Sequence, residues 1–154
     1  MLEAADLLRS PALDLYAGSG ALGIEALSRG VGQCTFVERD RRTCAVISEN
    51  LRLVDLDGGT VSSGTVGRWR PAHQERFALV LADPPYDDAA PWAAMETTLA
   101  DALTADASIA VEHEARRTPP DQLAGRQLWR DRKHGDSAVA IYRPASAIRE
   151  DDEE

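Results

Sequence analysis

Short apolar runs ending in an acid alternate along this chain with stretches whose apolar residues recur every three to four positions. Ala12-Leu13-Asp14-Leu15-Tyr16 is the first run; it breaks at Gly18-Ser19-Gly20. Leu22, Ile24, Ala26 and Leu27 then predict a helix that ends near Arg29, where Gly30 and Gly32 supply the stop. Cys34-Thr35-Phe36-Val37, β-branched and aromatic, predicts a second strand closed by Glu38. Cys44, Ile47, Leu51 and Val54 place a helix over roughly Arg41 to Leu53, and Asp57-Gly58-Gly59 turns the chain into a short strand around Thr60 to Ser62.

The second half repeats the alternation. Phe77 to Ala82 is continuously apolar and closed by Asp83-Pro84-Pro85, the pattern of a strand buried on both faces of a parallel sheet. Trp92, Met95, Leu99 and Leu103 lie on one face of a helix over Pro91 to Leu103, and Ser108 to Val111 is a fifth strand ending at Glu112. Pro119-Pro120 marks a loop, and the alternating Ala138 to Tyr142 after Lys133-His134-Gly135-Asp136 a terminal hairpin. Two segments carry weaker signals: Met1 to Leu8 reads as a short lead-in helix stopped by Ser10-Pro11, and Gly64 to Gln74 as a loop with at most one helical turn. Strands alternating with helices make a doubly wound α/β fold, in which ligands bind beyond the carboxyl ends of the strands. Asp14, Gly18, Glu38 and Asp83 all map to that edge.

Composition narrows the picture only a little. A length of 154 residues suits one domain, and 44% hydrophobic with 28% charged residues is ordinary for a soluble globular protein. No apolar run reaches the ~20 residues of a membrane span, and nothing resembles a secretion signal. Cys34 and Cys44 lack the spacing of a zinc site and read as reduced thiols of a cytoplasmic protein. A net charge of -9 argues against general stickiness toward nucleic acid, although the acidic run Glu150 to Glu154 supplies part of it. Residues 145–154 are expected to form a disordered, solvated tail behind a domain of residues 1–144.

Candidate chemistry sits at the two glycine- and proline-marked turns. Gly18-Ser19-Gly20-Ala21-Leu22-Gly23 fits the spacing G-x-G-x-x-G, and Glu38 lies where an acid binds ribose hydroxyls. Nicotinamide and S-adenosylmethionine enzymes share these features, because both ligands carry adenosine. Asp14 favours the second, since an acid before the turn suits an ammonium group better than a pyrophosphate; the weaker alternative is an acid satisfied by backbone amides at the turn. Asp83-Pro84-Pro85-Tyr86 separates the two further. A nucleobase amine is a weak nucleophile, and the Asp83 carboxylate with the Pro84 carbonyl can accept its two hydrogens, orient its lone pair and stabilise the charge that develops. Tyr86 offers a face on which an extruded base can stack. Turn chemistry after a buried strand would account for Asp-Pro-Pro alone, but not for its pairing with the glycine turn.

These residues resemble the RsmD family of small-subunit ribosomal RNA guanine-N2 methyltransferases, within the class I S-adenosylmethionine-dependent fold. The resemblance runs through Leu13 to Gly23, on through Glu25 to Gly30, then Phe36-Val37-Glu38-Arg39-Asp40, Asp83 to Tyr86, Val111-Glu112 and Gly135-Asp136. It implies a mostly parallel, seven-stranded, doubly wound sheet with a C-terminal antiparallel hairpin. It also implies that Asp14, Tyr16, Ala17, Gly18, Ser19 and Gly20 hold the amino-acid part of the cofactor. Glu38 would take its ribose, Arg39 would also contact the cofactor, Gly64 and Thr65 would lie by its adenine, and Asp83, Pro84 and Tyr86 would meet the target guanine, Asp83 bordering the cofactor as well. Gly64-Thr65 departs from the family in offering no acid or amide there. A basic segment ending in a pattern like R-E-x-x-F-x-x-L precedes the domain in the family, so the chain is expected to be truncated or to start internally.

The expected partner is therefore 16S rRNA or the small subunit, bound by a cytoplasmic, monomeric enzyme without a metal. Transfer to adenine N6, a non-catalytic cofactor-binding remnant and, more distantly, a nicotinamide oxidoreductase are the competing readings. His73, His113 and His134 are unclustered and read as loop or surface residues; Trp69 between Arg68 and Arg70 reads as a loop anchor or an RNA contact. Arg130, Arg132 and Lys133 form a basic patch, either RNA-binding or solvated.

Overall fold

A computed structural model describes residues 7–86 and 90–153. Its centre is five parallel strands, β1 (Ala12–Leu15), β2 (Cys34–Glu38), β3 (Gly59–Ser63), β4 (Phe77–Ala82) and β5 (Leu103–Glu114). The helices α1 (Ala21–Ser28), α2 (Arg41–Leu53) and α3 (Pro91–Leu99) connect them, and β6 (Gln122–Leu123), β7 (Arg126–His134) and β8 (Ser137–Arg143) extend the sheet antiparallel. The spatial order is β3-β2-β1-β4-β5-β8-β7-β6. The chain reverses its direction of winding between β1 and β4, and a crevice opens at such a switch point.

Strand alternation divides the core into two. Ala12, Phe36, Leu79 and Leu81 face α1 and α2 and pack with Ala26, Leu27, Ile47 and Leu51. Leu13, Leu15, Val37, Val80 and Ile109 face the other way and pack with Met95 and Leu99 of α3. Burying one such side chain stabilises the fold by roughly 1.5–3 kcal/mol, so helices on both faces are what keep these apolar strands out of water. Asp40 starts α2, its carboxylate accepting from the amides of Arg42 at 2.8 Å and Thr43 at 3.0 Å.

Several expectations change. The sheet has eight strands rather than seven, because the loop after Pro119-Pro120 contributes the short β6. The helix from Pro91 stops at Leu99 instead of reaching Leu103, and β5 begins at Leu103, which pairs with Phe77. Residues 145–154 were expected to be disordered, but Ala145–Asp152 folds as α4, with Arg143 paired to Asp151. Acidic repulsion is offset there by a cation at the end of β8. Of the lead-in helix, residues 1–6 lie outside the described residues; Leu7 is buried. In the segment Gly64 to Gln74, the amides of Arg68 and Trp69 both bond to the Thr65 carbonyl, forming the single helical turn. Among the described residues no helix is long and apolar enough to cross a membrane.

Candidate active site

The carboxyl ends of the parallel strands surround one cleft of about 1060 Å³. β1 supplies Tyr16, Ala17, Gly18 and Ser19; β2 supplies Glu38 and Arg39; β3 supplies Gly64 and Thr65. β4 contributes Asp83, Pro84, Pro85 and Tyr86, and β5 contributes Glu112. Every predicted site residue except Asp14 and Gly20 therefore lines a single space.

The glycine turn is tied down from all sides. Ala17 donates its amide to the Val37 carbonyl at 3.0 Å, Gly20 donates to Ala17 at 2.8 Å, and the Asn50 side-chain amide of α2 donates to the Ser19 carbonyl at 2.9 Å. Gly18 (φ 56) and Gly20 (φ 84) take left-handed backbone conformations, and a Cβ on Gly18 would meet nothing within 4 Å, so its face toward the cleft is open. Gly20 is buried as the cap of α1, not in the cleft wall. Helix geometry leaves the first-turn amides without intrahelical partners, and those of Ala21 and Leu22 belong to residues that line the cleft.

Asp14 lies elsewhere than expected. It shares its strand face with Ala12 and is paired in register with Phe36 and Leu81, so its side chain turns under α1 instead of toward the cleft. There it is 1% exposed, and its carboxylate accepts from the Gly23 amide at 3.0 Å. Burial pushes its acid well up; the Gly23 bond opposes that, and the charges of Asp83 and Glu38 add to it. The carboxylate thus braces the turn from behind. Gly23 permits this packing: a Cβ there would come within 2.3 Å of the Phe36 ring.

Asp83 sits at the opposite lip with its side chain exposed to the cleft. Partial burial raises its acid above the ordinary carboxylate range, and the charge of Glu112 raises it further. Pro84 is buried beside it, whereas Tyr86 is 45% exposed and its hydroxyl shares a hydrogen bond of 2.8 Å with Ser137, at the start of β8. At the far end of the cleft the Asp40 amide donates to Glu38 at 3.4 Å, so the start of α2 helps to position that acid.

The remaining singled-out residues are sorted by their surroundings. Trp69 donates its indole N–H to Ser62 at 2.9 Å and packs on Phe77, as a loop anchor. His113 is buried between the Glu114 carbonyl at 2.8 Å and Asp131 at 2.7 Å, with Trp92 edge-on to its ring. Arg130 lies 4.1 Å over the ring of Trp129, and the patch it forms with Arg132 and Lys133 does not border the cleft. Glu112 is the cleft residue whose part in the site sequence reasoning missed. Its signal was present, since this acid closes the apolar run Ser108 to Val111 as Glu38 closes that of β2 and Asp83 that of β4.

Residues 1–143 match the family described as Conserved hypothetical protein 95. YlbH of Bacillus subtilis, a protein named provisionally as an rRNA methyltransferase, is 36% identical over 138 residues, covering 85% of this chain and 74% of that one. Ribosomal RNA small subunit methyltransferase D of Escherichia coli K12 is 30% identical over 131 residues, which are 84% of this chain and 66% of the relative. A solved Haemophilus influenzae structure, named provisionally as a methylase, superposes with a TM-score of 0.76 at 27% identity, covering 89% of this chain and 88% of that one.

Proposed function

We propose that this chain, which belongs to the Conserved hypothetical protein 95 family of RsmD-like methyltransferases, transfers a methyl group from S-adenosylmethionine to the exocyclic N2 amine of a guanine in small-subunit ribosomal RNA. The observation that carries the reading is the single cleft walled on one side by the glycine turn and on the other by Asp83 to Tyr86. The open face of Gly18, the first turn of α1 and the Glu38 carboxylate fit a ligand with a polar amino-acid end and a ribose. When bound, that ligand supplies a methyl group already activated by a sulfonium. The protein's own work is positioning and charge stabilisation. Asp83 and the Pro84 carbonyl each accept one amine hydrogen, which aims the nitrogen lone pair and disperses the positive charge that forms as the methyl arrives. An acid whose charge is poorly solvated is stabilised by gaining such donors, so the environment of Asp83 favours occupancy by an amine.

The test is incubation of the protein with methyl-labelled S-adenosylmethionine and small subunits lacking this modification. Label in one guanine, recovered as N2-methylguanosine, is the expected result. Label recovered as N6-methyladenosine would move the assignment to adenine, whose amine the same Asp-Pro-Pro-Tyr loop can hold. Cofactor binding without transfer to any RNA would make the chain a binding module.

A further inference from the structure

A recess of about 120 Å³ adjoins the cleft, the two sharing Pro84, Pro85, Tyr86, Ala90 and Glu112 as lining. Glu112 borders both spaces, Asp83 only the cleft, and Arg117 only the recess. By the spaces they border, Asp83, Glu112 and Arg117 offer acceptor, acceptor and donor, while His113 and Glu114, which also line the recess, are engaged by Asp131 and by Arg116 and Arg117. Trp92, Pro84, Pro85 and Pro91 supply apolar walls. Among the described residues the Glu112 carboxylate accepts no hydrogen bond and makes no ion pair, although its charge is felt at Asp83. Arg117 is held at the recess mouth by its Nε–H, which donates to Glu114 at 3.1 Å.

This order matches one nucleobase edge. Guanine presents, side by side, the N2 amine, the N1–H and the O6 oxygen: donor, donor, acceptor. With N2 at Asp83 and Pro84, N1–H comes next and O6 lies beyond it. Adenine placed with its N6 amine at Asp83 would set the N1 lone pair beside the second position, where a carboxylate repels it. We infer that Glu112 accepts the N1–H of the target guanine while Arg117 donates to O6, making Glu112 the group that selects guanine over adenine. This rests on the methyl-transfer reading above. Leaving this half-buried acceptor facing a lone pair is the kind of mismatch that gives large discrimination, because the site loses a bond and gains a repulsion.

The test compares two synthetic RNA hairpins identical except at the methylated position, one with guanine and one with 2,6-diaminopurine. Both bases carry the N2 amine, but diaminopurine has an unprotonated N1. The unmodified enzyme is expected to prefer guanine by at least about a hundredfold in kcat/KM. Glu112→Gln, whose amide can donate to an unprotonated N1, should narrow that gap to within about tenfold while S-adenosylmethionine binding persists by calorimetry. Equal rates on both hairpins with the unmodified enzyme would overturn the inference without any variant. So would an undiminished gap in Glu112→Gln that still binds cofactor; if that variant fails to bind it, Glu112→Ala is read in the same way. Failure of the unmodified enzyme on both hairpins and on small subunits assayed alongside would instead remove the methyl-transfer reading, and this inference with it.

Discussion

The two loops that face each other across the cleft are built in opposite ways. The β1–α1 turn is overdetermined: Asp14 braces the Gly23 amide from beneath, Asn50 holds the Ser19 carbonyl, and Val37 and Ala17 accept amides within the turn. The β4 loop is tied through the Tyr86–Ser137 contact, and Asp83, Pro85 and Tyr86 are exposed around a buried Pro84. Each follows a buried strand, and an acid accompanies each. One acid is bonded inside the protein and the other faces the cleft. A preorganised wall opposite one with exposed polar groups suits the proposed site, which would hold one constant ligand and accept a large, variable one.

Asp83→Ala should break the comparison most severely. Removing the outward acid takes away the proposed acceptor that orients the amine and disperses its developing charge, so transfer is expected to fall by about 10²–10³-fold in kcat. Affinity for S-adenosylmethionine, measured calorimetrically, should change little. Equal loss of both would mean that the β4 loop also builds the cofactor wall.

Gly23→Ala attacks the other loop through packing. The new methyl would stand 2.3 Å from Phe36 Cε1 and 2.9 Å from Cys34 Sγ, and Phe36 is fully buried. Relief requires α1 to move away from β2, at a cost of about 1–3 kcal/mol seen in the urea midpoint. Because α1 carries the amides at the cleft, cofactor affinity should weaken as well. A stable variant with weakened binding would show that the turn's position, not the fold's stability, is what the glycine protects.

Asp14 offers a finer cut. Asp14→Ala leaves the Gly23 amide unsatisfied in the core, at about 1–3 kcal/mol, whereas Asp14→Asn keeps an acceptor and discards a buried charge, so it should be nearly neutral. The sign of the pH dependence follows from the raised acid. A carboxyl whose folded pKa exceeds its unfolded value of about 3.9 contributes stability below that value and loses it as pH rises through the folded pKa. Asparagine does not titrate, so its melting temperature relative to the unmodified protein should climb across that window. A flat difference would mean that Asp14 is not titrating between the two states.

The contrast between these acids also marks what could be read without coordinates. Apolar runs, glycines and prolines locate β1, α1, β4 and the cleft edge, because those residues report local backbone preference. They do not report depth. Asp14 and Asp83 look equivalent in sequence, and only strand parity, which sets Asp14 on the α1 face with Ala12, separates them. The same limit explains the other differences. Ala100 to Leu103 continues the helical apolar spacing of α3, but Leu103 is claimed by pairing with Phe77. The acidic run after Ala145 reads as repulsive until Arg143 is brought against Asp151. Glu112 carries the local mark of an acid after an apolar run, but its place near Asp83 comes from β5 lying beside β4, a neighbour relation no local pattern contains.

The smallest expected effect tests how loosely the β4 loop is held. Tyr86→Phe removes the 2.8 Å bond to Ser137 and keeps the ring. A hydrogen bond between exposed side chains is worth at most about 0.5–1.5 kcal/mol net, since water replaces it. If the ring's role is to stack on the base, the variant should keep its kcat and show at most about a threefold rise in KM for RNA. Tyr86→Ala, which removes the stacking face, should lose far more, on the order of 1–3 kcal/mol of binding. Ser137→Ala should match Tyr86→Phe, because both delete the same contact. Should phenylalanine instead prove as damaging as alanine, the tie to β8 would be what positions the loop, and the β4 side would have to be counted as a second preorganised wall.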